Sequence, residues 1–167
     1  MHTATAIIIR APRDRIFEVT ADLENWTRIL PHYRYIHYLE RGLSGGATER
    51  HIVKMAATRD GIPIAWTSEQ VIDRARQEVR FTHLKAFTKG MHVVWTYTDL
   101  PDGSGVRVEI VHDLKFRFPP LQPLADRIIG SYFIENIANK TLRRFKEYLE
   151  PAQHAKPAAR EAQNPKL

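Results

Sequence analysis

Six consecutive β-patterned runs, at about 33–43, 47–59, 62–74, 78–88, 91–100 and 105–118, follow one another with only a few residues between each pair. The gaps carry turn signals: Ser44-Gly45-Gly46, Asp60-Gly61, Arg74-Ala75-Arg76-Gln77, Lys89-Gly90 and Pro101-Asp102-Gly103. A parallel crossover needs a dozen or more residues, so these strands must join as antiparallel hairpins. Ahead of them, Thr3–Arg10 is β-branched and apolar and adds a first strand. Ala11-Pro12 stops that strand, and Pro12 suits the start of a short helix carrying Ile16, Phe17 and Val19, with Asp14 near its positive end. A second short helix, Glu24–Leu30, contains Trp26 and ends at Pro31.

Pro119-Pro120 closes the strands, and Leu121–Glu150 is expected as one long helix, roughly 45 Å at 1.5 Å per residue. Its apolar stripe passes through Leu121, Leu124, Ile128, Ile129, Tyr132 and Phe133, then drifts to Ile137, Leu142, Phe145 and Leu149. Such a drift predicts a bend or bulge near 134–138. The fold class is therefore α+β: a seven-stranded antiparallel curved sheet around a long C-terminal helix, with two short helices after the first strand. The concave face that the helix leaves uncovered becomes a cavity.

A length of 167 residues fits one domain, expected over 1–150, with a flexible basic tail over 151–167. Cysteine is absent, which excludes disulfides, thiolate zinc sites and cysteine nucleophiles. No apolar stretch is long enough for a membrane helix, and the N-terminal Ile7-Ile8-Ile9 run is too short for a signal peptide, so the expected location is the cytoplasm. The net charge is +6, but Lys156, Arg160 and Lys166 against Glu161 place part of the excess in the tail. No nucleic-acid motif accompanies the charge, so a nucleic-acid partner is not expected. Lys140, Arg143, Arg144 and Lys146 on the last helix form a mainly solvated basic face, on which an acidic carrier protein could dock. The eight histidines contain no i,i+4 pair and no HExxH string, so no metal site is expected. Nothing suggests a bound cofactor: Gly-rich phosphate loops, Ser-His-Asp order and paired-carboxylate motifs are missing.

Strand parity sorts the side chains into faces. In the 62–74 run the inner face carries Ile62, Ile64, Trp66, Ser68, Gln70 and Ile72. Met91, Val93, Trp95 and Tyr97 share one face of the 91–100 run. In 105–118 His112 interrupts an inward apolar row of Val106, Val108, Ile110, Leu114, Phe116 and Phe118. Val79, Phe81, His83 and Phe87 face one way, as do His51, Val53 and Met55, so several imidazoles converge on one interior. Each also fits a core histidine satisfied by a hydrogen bond. Likewise Trp66, Trp95 and Tyr97 fit plain core filling or a flat-walled slot for an aromatic ligand. In the second case Tyr33, Ser68, Gln70 and His112 are the polar groups that orient the ligand, and Trp26, His83, Met91 and Tyr132 join its contacts.

Ile9-Arg10-Ala11-Pro12, Arg15-Ile16-Phe17-Glu18-Val19 and Ala21-Asp22-Leu23-Glu24-Asn25-Trp26 resemble the opening of START-like, helix-grip (SRPBCC) proteins. Ala65-Trp66-Thr67-Ser68, Met91-His92-Val93-Val94-Trp95, Val111-His112-Asp113-Leu114 and Glu135-Asn136-Ile137-Ala138-Asn139-Lys140-Thr141 resemble the polyketide aromatase/cyclase branch. That resemblance covers about residues 3–150. It implies a cofactor-independent enzyme that folds a poly-β-keto chain, delivered by an acyl carrier protein, and promotes aldol cyclisation and dehydration. It also implies that Tyr33, Trp66, Ser68, Trp95 and Asn136 line the pocket. Where such cyclases typically carry arginine two residues after the pocket serine, this chain has Gln70; His112 is the inward group suited to replace it as acid or base. The alternative is a non-catalytic carrier of an isoprenoid quinone or lipid, because coenzyme Q-binding START-like proteins share the Ala21–Trp26 string.

Overall fold

The computed structural model describes residues 1–45, 48–86, 88–115 and 133–150, with the side chains of 43–45 left aside. Its strands are β1 (His2–Ile9), β2 (Tyr33–Gly45), β3 (Thr48–Arg59), β4 (Ile62–Asp73), β5 (Glu78–Lys85), β6 (His92–Asp99) and β7 (Val106–Asp113). They form one antiparallel sheet in the order β1-β7-β6-β5-β4-β3-β2, so every neighbour but the β1–β7 pair is a sequential hairpin. Asp60 and Gly61 both adopt positive φ, as a tight two-residue hairpin loop between β3 and β4 requires. Register shifts within β2, and between Thr67 and Ser68 against β5, bend the long central strands.

Between β1 and β2 lie α1 (Arg13–Ala21), a single 3₁₀ turn at Leu23–Asn25 and α2 (Trp26–Ile29). The second short helix expected at 24–30 is thus split in two. Asp22 accounts for the split, since its carboxylate accepts a hydrogen bond from Glu24 N and restarts the chain. A π-type turn at Phe133–Ile134 leads into α3 (Glu135–Leu149). Of the long helix expected over 121–150, the part before 133 lies outside the described residues, as do Phe87, Phe116, Phe118, Tyr132 and the tail.

The inward stripe of α3 is Ala138, Thr141, Leu142, Phe145 and Leu149, at helical spacing. It packs into the concave face of the sheet. Lys146 Nζ donates to Ile8 O at 2.6 Å, and Arg10 N donates to Glu150 Oε1 at 2.6 Å, tying the C-terminal end of α3 to β1. Trp26 is buried at the centre, with ring centroids 5.2 Å from Tyr33, 5.7 Å from Trp95 and 5.6 Å from Phe145. Its Nε1 donates to Thr20 O at 3.1 Å, which locks α2 to the end of α1. No described helix is long and apolar enough to cross a membrane.

Candidate functional site

Between the sheet and the start of α3 lies a cavity of about 90 Å³. Trp26, Tyr33, Met55, Trp66, Phe81, Met91, Val93, Trp95 and Ile110 supply most of its wall, and Ile137, Ala138 and Thr141 close it from α3. His83 and His112 are among its few polar lining groups. Of the side chains that parity turns inward, Trp66, His83, Met91, Trp95 and His112 line this cavity, the short helix adds Trp26 and the start of β2 adds Tyr33.

His83 is held twice. Its ring lies parallel to Trp66 with centroids 5.6 Å apart, and its Nδ1 is 2.7 Å from Thr88 Oγ1. The turn between β5 and β6 folds Thr88 back onto it: Gly90 N donates to His83 O, and Met91 N to Thr88 O. Burial, and secondarily the nearby His112, lower the His83 pKa to about 3. His112 sits across from Val93 and Thr3 on the inner row of β7, and its Nδ1 has no protein partner. Burial lowers its pKa to about 4. Both imidazoles are consequently neutral at pH 7, able to accept a proton rather than hold a charge.

Tyr33 presents its phenol to the cavity beside Trp66, with ring centroids 6.1 Å apart. Burial raises its pKa well above the usual phenol range, against the opposing effect of the Thr141 hydroxyl. Thr88, Thr141 and His32, which lies 2.9 Å from Thr141 Oγ1 through Nε2, carry this chemistry without having been singled out in the sequence. Their signal was absent because a threonine on a helix stripe or in a turn has no distinguishing pattern.

Three side chains that parity turns inward are placed elsewhere. Tyr97 shares the inward face of β6, but its hydroxyl is 2.6 Å from Thr20 Oγ1 and its ring packs edge-on against Phe17, so α1 covers it. Removing that bond in Tyr97→Phe should cost about 0.5–1.5 kcal/mol in a denaturant titration and leave ligand affinity unchanged. Gln70 is fully buried and donates from Nε2 to Ala21 O at 2.9 Å, which anchors the end of α1 to the sheet instead of reaching the cavity. His51 faces a different space: it accepts from Gly42 N at 3.1 Å and stands 3.7 Å from Glu49. Ser68 Oγ and Asn136 Oδ1 lie beside the site rather than in its wall, buried and without a protein partner.

A groove of about 470 Å³ on the outside is larger, but Arg41 pairs there with Glu24, and Arg74 with Glu18 and Glu49. Its charges satisfy one another, so it offers little to an apolar ligand. On the basic face of α3, Lys140 pairs with Asp60 at 3.8 Å, Arg144 with Glu147 at 2.8 Å and Lys146 with Glu150 at 3.0 Å. That agrees with a mainly solvated face.

A sequence profile described as polyketide cyclase/dehydrase and lipid transport matches residues 9–141. Two proteins named "Putative polyketide cyclase" are similar to the chain. One, from Streptomyces halstedii, is 34% identical over 107 residues, covering 64% of this chain and 95% of that protein. The other, from Streptomyces cyaneus, is 30% identical over 126 residues, covering 75% and 78%. Among solved structures, the Zhui aromatase/cyclase from Streptomyces sp. R1128 superposes with a TM-score of 0.72 at 20% identity, covering 89% of this chain and 93% of that one. A START superfamily protein from Mycobacterium smegmatis gives 0.68 at 13% identity, covering 89% and 99%. These structural likenesses show the helix-grip fold.

Proposed function

The chain belongs to the polyketide cyclase/dehydrase and lipid transport family, and from that premise we propose that it is an aromatase/cyclase that binds a poly-β-keto or aromatic intermediate in its cavity and promotes aldol cyclisation and dehydration. The observation that carries this reading is the pairing of an aromatic wall, Trp26, Trp66 and Trp95, with two neutral imidazoles and a phenol in the same small space. An aldol closure needs a base at the α-carbon and a donor at the carbonyl oxygen. His112 takes the α-proton, its unpartnered nitrogen being the available acceptor. Tyr33 donates to the carbonyl oxygen as charge develops there. The protonated His112 then returns its proton to the departing hydroxyl, a second α-proton is lost to water, and the C=C bond forms as water leaves. Ser68 and Asn136 add orienting contacts once the walls part; each buried polar atom without a partner costs about 1–3 kcal/mol, which ligand contact offsets.

Ligand pockets usually measure ~300–1,000 Å³, so the wall must widen to admit a ring system. Met55 and Met91 are the lining side chains that yield most readily. Gln70, committed to Ala21 O, leaves no fixed cation in the cavity wall among the described residues. The polarising role therefore rests on the Tyr33 hydroxyl.

The names of the relatives favour this reading over a quinone or lipid carrier. The test is incubation of the purified protein with a poly-β-keto thioester or its mimic, with products separated by chromatography. A product distribution distinct from spontaneous cyclisation supports the enzyme; an unchanged distribution, together with tight binding of an isoprenoid quinone, replaces it with the carrier. In the same proposal the protein is cytoplasmic and takes its substrate from an acyl carrier protein at the exposed Arg143 and Arg144. Reversing both charges to Glu should weaken carrier affinity about tenfold or more at low salt and little at high salt; equal affinity at low salt removes that docking site.

A further inference from the structure

The phenol of Tyr33 is not an isolated wall group. It shares the cavity wall with Thr141, whose hydroxyl opposes the rise that burial gives its pKa, and Thr141 Oγ1 is 2.9 Å from His32 Nε2. Tyr33 and Thr141 are buried and line the cavity, whereas His32 is only partly buried. The three side chains come from two places in the fold: His32 and Tyr33 are neighbours at the entrance to β2, and Thr141 lies on the inward stripe of α3. The backbone fixes the first pair, with Tyr33 N donating to Leu30 O and Thr58 N donating to His32 O. The His32 and Tyr33 rings also pack with centroids 5.0 Å apart. A line of polar side chains therefore runs from the cavity to a partly exposed imidazole, its outer step the Thr141–His32 hydrogen bond.

We propose that Thr141 and His32 are positioning residues for Tyr33, holding its phenol and returning a proton to it from outside the cavity. The proposal rests on the cyclase reading above. As the new C–C bond forms, the Tyr33 O–H bond breaks and its proton goes to the carbonyl oxygen. The Thr141 hydroxyl proton passes to the phenolate, and Thr141 takes the proton from His32 Nε2. His32 Nδ1 then accepts one from a buffer acid, so the ring ends neutral with its tautomer reversed. Burial makes a Tyr33 phenolate costly, so prompt return of the proton matters. A relay by tautomer exchange needs a neutral ring. Burial, with Lys140 and Arg144 of α3 facing it, lowers the His32 pKa to about 4. Asp60, on the β3–β4 turn, pairs with that Lys140 and keeps it in place.

The test compares Thr141→Val, Thr141→Ser and His32→Ala with the wild type. Thr141→Val should lower turnover about tenfold or more, and Thr141→Ser should recover most of it. Affinity for 2-naphthol, read by quenching of tryptophan fluorescence, should stay within about twofold in His32→Ala and should fall clearly less than turnover in Thr141→Val, where the cavity wall itself changes. Added imidazole should raise turnover of His32→Ala in proportion to its concentration. Wild-type turnover in Thr141→Val, or naphthol affinity falling in step with turnover, overturns the relay. Nitrogen-15 NMR of the imidazole supplies a readout that does not depend on cyclisation: the wild type should show the Nε2-protonated neutral tautomer, and Thr141→Val should change its population and pKa. A His32 spectrum indifferent to Thr141→Val overturns the line even if the protein cyclises. Absence of product from the wild type counts against the cyclase reading instead, and the NMR result then decides the line alone.

Discussion

His112→Ala should cut turnover of a poly-β-keto substrate by about 10²–10⁴-fold, the usual cost of losing a positioned acid or base. Affinity for an apolar ligand should stay within about tenfold, ~1.4 kcal/mol, because one polar wall group contributes little to holding such a ligand. The separation follows from geometry: His112 lines the cavity with an unpartnered Nδ1, while the bulk of the wall comes from aromatic and aliphatic side chains. His112→Gln keeps hydrogen-bonding capacity without proton transfer, and its turnover should fall to the same level. The pH profile supplies an independent reading. With the His112 pKa lowered to about 4, activity should be flat through neutrality and fall only as acid protonates the base. Product profiles that match with and without His112 would remove it from the mechanism, whereas an acid limb near pH 6.5 would mean that burial does not hold its ring neutral.

Alternation made the fold legible. β7 alternates buried Val106, Val108, Ile110 and His112 with Arg107, Glu109, Val111 and Asp113, which are more exposed, as a strand with one face on a core must. The two-residue Asp60-Gly61 turn and the short gaps fixed the hairpin order, leaving only the position of β1 to be found beside β7. Parity specifies a face but not a depth along it. Trp95 and Tyr97 stand on the same face of β6, yet Trp95 meets the cavity while Tyr97 lies under α1, where Thr20 captures its hydroxyl. Gln70 failed for the same reason: it faces inward at the level of Ala21, beyond the cavity. Thr88 and Thr141 escaped notice because their roles are relational. A threonine becomes meaningful only when a turn or a helix face brings it within hydrogen-bond reach of His83 or His32, and that distance is a product of tertiary packing. His32 escaped because Pro31-His32 looks like an ordinary helix exit.

Acid should destabilise the protein steeply, beginning well above the range where carboxylates titrate. His83 and His112 have folded-state pKa values lowered to about 3 and about 4, against about 6.5 for an unfolded imidazole. The unfolded chain therefore binds protons that the native state refuses. The stability that neutral burial contributes is fully present above about pH 6.5 and is lost as pH falls toward 4. Each group removes up to about 1.4 kcal/mol per pH unit, so the pair takes about 2.7 kcal/mol per unit in that window. Set against a typical domain stability of ~5–15 kcal/mol, two pH units are enough to bring unfolding within reach. His32 adds in the same direction but less, since its ring is partly exposed and screened. Carboxylate ion pairs such as Arg74 with Glu18 and Glu49 also weaken in acid, so a single titration does not isolate the imidazoles. The difference between variants does. Urea unfolding of wild type, His83→Gln and His112→Gln between pH 7 and pH 5 should give a slope of stability against pH that is shallower by up to about 1.4 kcal/mol per unit in each variant. Slopes identical to the wild type would mean that both rings already take up their protons in the folded protein, and with them would go the neutral base on which ring closure depends.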